Sequence, residues 1–117
     1  MFTSYFSNPQ LKKATNLRLV AISRGIPKWF KGEAYQLLAP TWAMIKLENR
    51  DEYTCLYDEI LKRLDAESVV NDLKDSVILC WEKPGDFCHR YLVAKWIEEK
   101  TGLHVPEYGI KNQLTLF

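Results

Sequence analysis

The sequence predicts an α/β domain, a small Rossmann-like three-layer fold built on a mostly parallel sheet. Val77, Ile78 and Leu79 form a continuous apolar run of the kind shown by a strand covered on both faces. Strand-like and helix-like segments alternate along the chain, and strands joined by helical crossovers pair in parallel with right-handed connections. The 117 residues, 47% apolar and 26% charged with a net charge of +1, have the composition of one globular domain. That balance excludes a disordered chain and a polybasic nucleic-acid coat. The domain is expected over residues 1–108, with a C-terminal tail over 109–117.

Met1 to Phe6, rich in Thr, Tyr and Phe, is the first strand candidate, and Asn8-Pro9 then opens a short helix or turn through Leu11 and Lys13. Leu17 to Ile22 is the second strand, ending where Ser23-Arg24-Gly25 breaks into loop. From Gly25 to Arg50 the chain resists classification, cut by Pro27, Gly32 and Pro40. Aromatic residues, Trp29 and Trp42 among them, alternate there with lysines, as a stacked base and its phosphate require, although the same aromatics also suit a lid over the sheet. Asp51 to Leu64 reads as a helix with an apolar stripe at Tyr53, Leu56, Tyr57, Ile60, Leu61 and Leu64. Ser68 to Leu73 is a second, shorter helix or turn leading into the central strand.

The central strand runs into the loop Trp81-Glu82-Lys83-Pro84-Gly85-Asp86, and Asp86 reads as the N-cap of a helix that Thr101-Gly102 stops. On this reading Cys88, His89 and Arg90 occupy the first turn, where unpaired backbone N–H groups attract anions and acidify a thiol. Cys80 and Glu82 share one face of the strand. Glu82, Cys88 and His89 are therefore candidate catalytic groups. Arg90 and Arg24, each beyond the carboxyl end of a strand, are candidate anion ligands, with Trp29 and Trp42 beside them to stack a base. The structural alternative makes Cys80 and Cys88 small buried hydrophobes and pairs Arg90 with Glu82. Cys80, Cys88, His89 and His104 are not read as a metal site: their spacing lacks a C-x-x-C pair, and adjacent helical residues splay their side chains. No metal or other cofactor is expected.

The C-x-E pattern of Cys80 to Glu82, followed by Cys88-His89-Arg90 at the opening of the next helix, resembles the signature of domain-of-unknown-function family 488, a group of small cytoplasmic prokaryotic and phage proteins. The resemblance extends to Thr3 and Ser7, which match the family's T-x-x-x-S opening, and to Arg24 before Pro27. One departure is Ile22, where many members carry an Asp, so an acid role at that position does not transfer. The resemblance reaches to about Tyr108 and implies a Rossmann-like fold without an established reaction.

The final pentapeptide, Gln113-Leu114-Thr115-Leu116-Phe117, is similar to the Q-L-x-L-F motif by which bacterial replication and repair proteins bind the DNA polymerase sliding clamp. Leu114, Leu116 and Phe117 supply apolar anchors for a pocket, and the Gln113 amide sets register by hydrogen bonds. The alternative is an edge strand packed back on the sheet.

No apolar run approaches the roughly 20 residues of a membrane span and nothing reads as a signal peptide, so a cytoplasmic protein with no membrane partner is expected. Three cysteines, Cys55, Cys80 and Cys88, do not suggest a disulfide framework and fit a reducing compartment. The expected function is binding or modification of a nucleotide or nucleic-acid component at residues 80–90, with recruitment to DNA through the sliding clamp. The alternatives are a non-enzymatic, possibly phage-encoded, interaction protein that acts on the clamp or another host protein, and an enzyme that depends on Cys88.

Overall fold

The structure, a computed structural model, describes residues 1–109. The expected clamp motif, Gln113 to Phe117, lies outside the described residues. Four parallel strands form one sheet: β1 (Phe2–Tyr5), β2 (Arg18–Ala21), β3 (Glu33–Ala34) and β4 (Ser76–Cys80), in the spatial order β1-β4-β2-β3. The α/β class and the parallel sheet are as the sequence predicts. β4 is central, and all five of its residues are buried, as its unbroken apolar run requires.

The helices are α1 (Trp42–Ile45), α2 (Arg50–Lys62), α3 (Ala66–Asp72) and α4 (His89–Thr101). The two faces of the sheet are covered differently. Ile78, Val20 and Ile22 face a core built with Tyr57 and Leu61 of α2, Val69 of α3, and Val93 and Ile97 of α4. Val77, Leu79 and Ala21 face a smaller cluster with Phe6, Leu11 and Phe30. Leu11 belongs to a 3-10 turn, Pro9–Lys13, which Asn8 caps by accepting from the Gln10 N–H. A helical layer therefore covers one face, and aromatic side chains with a 3-10 turn cover the other.

Local chemistry accounts for the boundaries. Asn49 caps α2 by accepting from the Glu52 N–H, and Asp65 caps α3 by accepting from the Ser68 N–H, so each helix starts earlier than its apolar stripe suggests. The segment after Gly25 is more ordered than its composition implies. It holds β3, a 3-10 turn at Gln36–Leu38, and α1, which Thr41 caps through the Met44 N–H. The Tyr57 hydroxyl donates to the Leu38 carbonyl at 2.5 Å, tying α2 to this segment.

The end of α4 is read correctly from sequence: Gly102 caps it at φ 80°, in the left-handed region. Its beginning is not. Asp86 closes the Pro-Gly turn, its N–H donating to the Lys83 carbonyl, and the N-cap is Cys88, in extended conformation. Beyond α4 the chain returns to the outer edge of β1, where Thr3 bridges to Glu107 in parallel sense. The connection from β2 thus runs toward β3, and the connection from the adjacent β4 runs the opposite way, past β1. Neighbouring strands whose connections diverge leave a crevice at their carboxyl ends.

Candidate ligand cleft at the strand ends

A cleft of about 510 Å³ occupies that crevice. Its floor comes from the residues just after β2 and at the end of β4, and α1, the start of α2 and the loop before α4 form its walls. Its size is that of a small-ligand pocket, for which ~300–1,000 Å³ is usual.

Five of the residues singled out in the sequence converge here: Arg24, Trp42, Glu82, Cys88 and His89. Trp42 is 61% and Trp81 52% exposed, and they frame the mouth on either side of Gly25. The Trp81 indole N–H donates to the Gly25 carbonyl at 2.8 Å, which fixes one ring across the two strand-end loops. Arg24 reaches into the adjoining wall, donating to the Pro40 carbonyl, the Gln36 amide oxygen and the Ala39 carbonyl. It meets no carboxylate among the described residues. Arg50, over the Phe87 ring at 5.4 Å, also makes no ion pair there.

Two expectations are corrected. Trp29 lies on the opposite face of the sheet, edge-on to Phe6 and lining a separate hollow with Leu19 and Phe30, because the loop from β2 to β3 crosses that face. It is not part of the cleft. Arg90 is fully buried and offers no donor to a ligand. Its Nε and Nη2 grip both oxygens of Glu107, at 3.1 and 2.9 Å, in a pair whose side chains are 0% and 6% exposed. Nη1 donates to the Glu82 carbonyl and to Cys80 Sγ, and Nη2 to the Tyr91 hydroxyl, so all five N–H groups are used. The partner of Arg90 is Glu107, and Glu82 contributes its backbone while its side chain remains at the exposed rim.

The cysteines depart furthest from expectation. Cys80 and Cys88 are joined as a disulfide, so Cys88 is not a free nucleophile in this form, and Cys55 is the free thiol. His89 does not splay away from Cys88. The splay argument assumes two helical residues, whereas Cys88 has φ −150° and ψ 144°, which turns its sulfur to the same side as the imidazole. His89 Nδ1 stands 3.8 Å from Cys88 Sγ, and Nε2 lies 2.7 Å from the Ile22 carbonyl oxygen. A carbonyl only accepts, so Nε2 carries the proton and Nδ1 presents a lone pair. Ligand atoms of Cys80, Cys88 and His89 all lie within 4.8 Å of one another.

Burial, opposed by the Ile22 hydrogen bond and aided by the Arg90 charge, lowers the His89 pKa to about 4. The imidazole is neutral at physiological pH. Tyr53, at the cleft wall, is pushed up by burial and then by the Glu82 charge, so it stays protonated and can donate. Arg50, Tyr53 and Trp81 are among the cleft residues that sequence reasoning missed. Trp81 carried a signal, standing directly after the central strand, while Arg50 closed the segment that resisted classification and Tyr53 sat within a helix read only for its apolar stripe.

Fold and cleft together define a small parallel α/β protein with a ligand-sized site at the strand ends. No protein-family model, curated protein or solved structure matches the chain. No helix among the described residues is long and apolar enough to cross a membrane.

Glu107→Ala strands the buried Arg90 charge and is expected to cost about 3–5 kcal/mol in denaturant unfolding, whereas Glu82→Ala, which removes an exposed carboxylate, costs under about 0.5 kcal/mol. The second prediction concerns acid. His89 binds a proton near 6.5 when unfolded and only near 4 when folded. Stability is therefore retained above pH 6.5 and falls as the pH drops toward 4, by about 3 kcal/mol in total. Unfolding measured across that range with a chelator present checks this. A His89→Gln protein should lack this part of the slope.

Proposed function

We propose that the cleft binds a nucleotide or a nucleic-acid component, stacking the base at Trp42 and Trp81 and holding the phosphate at Arg50 and Arg24. One observation carries the reading: two half-exposed indoles and two arginines that meet no carboxylate among the described residues come together at a crevice of about 510 Å³. An indole exposes a large apolar face at a cost in water, and a base stacked on it recovers about 1–3 kcal/mol. An unpaired guanidinium offers phosphate a planar fork of donors. The resemblance to domain-of-unknown-function family 488 is compatible with this reading and assigns no reaction. The Gln113 to Phe117 motif supports a second element, recruitment to the sliding clamp.

Tryptophan fluorescence during titration with nucleoside monophosphates, diphosphates and short oligonucleotides tests the cleft. Quenching that saturates is expected, with binding weakened about tenfold or more in Trp42→Ala and Arg50→Ala. Trp29→Ala, on the far face, should bind normally. If none of these ligands binds below millimolar concentration, the reading fails. Recruitment is tested separately by titrating a bacterial sliding clamp with the intact chain and with one lacking Gln113 to Phe117. Binding should vanish with the truncation, and equal behaviour of the two forms sinks the clamp proposal.

A further inference from the structure

We propose that the reduced protein holds a zinc-like divalent cation between Cys80 Sγ, Cys88 Sγ and His89 Nδ1 at the floor of the cleft. The three residues are buried at 1%, 3% and 5% exposure, and their ligand atoms already lie within 4.8 Å of one another. They come from different elements, the end of β4 and the cap and first residue of α4, so the cluster is made by the fold and not by a short sequence motif.

Each donor is prepared for coordination. The His89 Nε2–H is committed to the Ile22 carbonyl at 2.7 Å, which fixes the tautomer and turns the Nδ1 lone pair toward Cys88 Sγ. A ring N–H held by a backbone carbonyl is the outer-shell arrangement that metal-ligating histidines generally have. Cys80 Sγ accepts from Arg90 Nη1 at 2.9 Å, a charged donor beside the sulfur. Cys88 caps α4, a helix of 13 residues, and its extended backbone brings its sulfur to the side of the His89 ring. The Cα atoms of the two cysteines stand 7.2 Å apart, beyond the ~4.4–6.8 Å that most disulfides span. Two thiolates bound to one ion at ~2.3 Å each stand farther apart than two bonded sulfurs, and this backbone spacing accommodates them.

Charge accounting agrees. Arg90 and Glu107 already neutralise each other, so two buried thiolates would leave two uncompensated negative charges, and one divalent cation offsets both. Two sulfurs and an imidazole select zinc or another borderline cation over magnesium or calcium. The fourth coordination position opens to the cleft, which all three ligands line. The site shares the cleft with the nucleotide reading but none of its residues, and it stands if that reading fails.

The disulfide and the metal-bound form are alternatives. The protein disulfide becomes two thiols by taking two electrons and two protons from a dithiol reductant, which itself becomes a disulfide. Binding the cation then releases the two thiol protons.

Cobalt(II) titration of the full chain tests the site. After reduction and removal of the reductant, one equivalent should produce a thiolate-to-cobalt charge-transfer band and the visible bands of a tetrahedral centre, both abolished by zinc. Oxidation of the same protein to its disulfide should abolish uptake, and renewed reduction should restore it, with no substitution needed. His89→Gln should weaken binding by more than about 100-fold, since outer-shell changes alone cost 10- to 100-fold. Cys55→Ser should bind normally. Reduced protein that stays folded by circular dichroism yet takes up no cobalt overturns the proposal, as does uptake that persists in the oxidised form or depends on Cys55.

Discussion

The buried pair between Arg90 and Glu107 is the constraint on which the rest of the site depends. Burying a guanidinium is costly, and the attraction of a carboxylate repays that cost only where geometry is good and every remaining donor is satisfied. Both conditions hold: the grip is bidentate, and Arg90 spends its other N–H groups on Cys80 Sγ, the Glu82 carbonyl and the Tyr91 hydroxyl. Glu107 in turn accepts from the Thr3 hydroxyl at 2.6 Å. The pair thereby joins the end of β4, the first turn of α4, the edge of β1 and the returning chain. A buried ion pair of this kind adds little net stability over an apolar substitute. What it supplies is position, because only one arrangement of these elements leaves no charge stranded.

That position determines the cleft. With the start of α4 held against the end of β4, the loop of residues 81–87 has to arch outward, carrying Glu82 to the rim and Phe87 onto Tyr53 at 5.2 Å. The opposite wall is set by Arg24, which collects the carbonyls of Ala39 and Pro40 and so holds the segment leading into α1. Two arginines that look alike in the sequence, each just beyond a strand, thus differ in burial and in task. Arg90 is structural throughout. Arg24 meets no carboxylate among the described residues and lines the cavity while its donors brace the wall.

The features legible in the sequence were those set by local chemistry. The unbroken run at Val77 to Leu79 marked the central strand, Asn8-Pro9 marked the 3-10 turn, and Gly102 marked the end of α4. Five of the residues proposed for the site do line one cleft, since the carboxyl ends of parallel strands gather whatever follows them. The illegible features were set by long-range geometry. A charge pattern does not say which carboxylate an arginine meets, and Glu107 lies 17 residues from Arg90, across a helix, while Glu82 is nearer in the chain. Trp29 and Trp42 belong to the same aperiodic segment, and only the path of the loop over the sheet sends them to opposite faces. β3, at two residues, is too short to leave a periodic signal.

The conformation of Cys88 shows how one such error propagates. Placing the cap at Asp86 makes Cys88 and His89 consecutive helical residues, and consecutive helical side chains diverge by about 100° around the axis. Two residues of displacement change the chemistry: with the cap at Cys88, its extended backbone aims the sulfur toward Cys80 while His89, the first helical residue, turns its imidazole under the Ile22 carbonyl. The same displacement both permits the disulfide and gathers the three donors. Cleft floor, helix start and sulfur chemistry therefore derive from a single local choice, made by the Pro-Gly turn that claims Asp86 first.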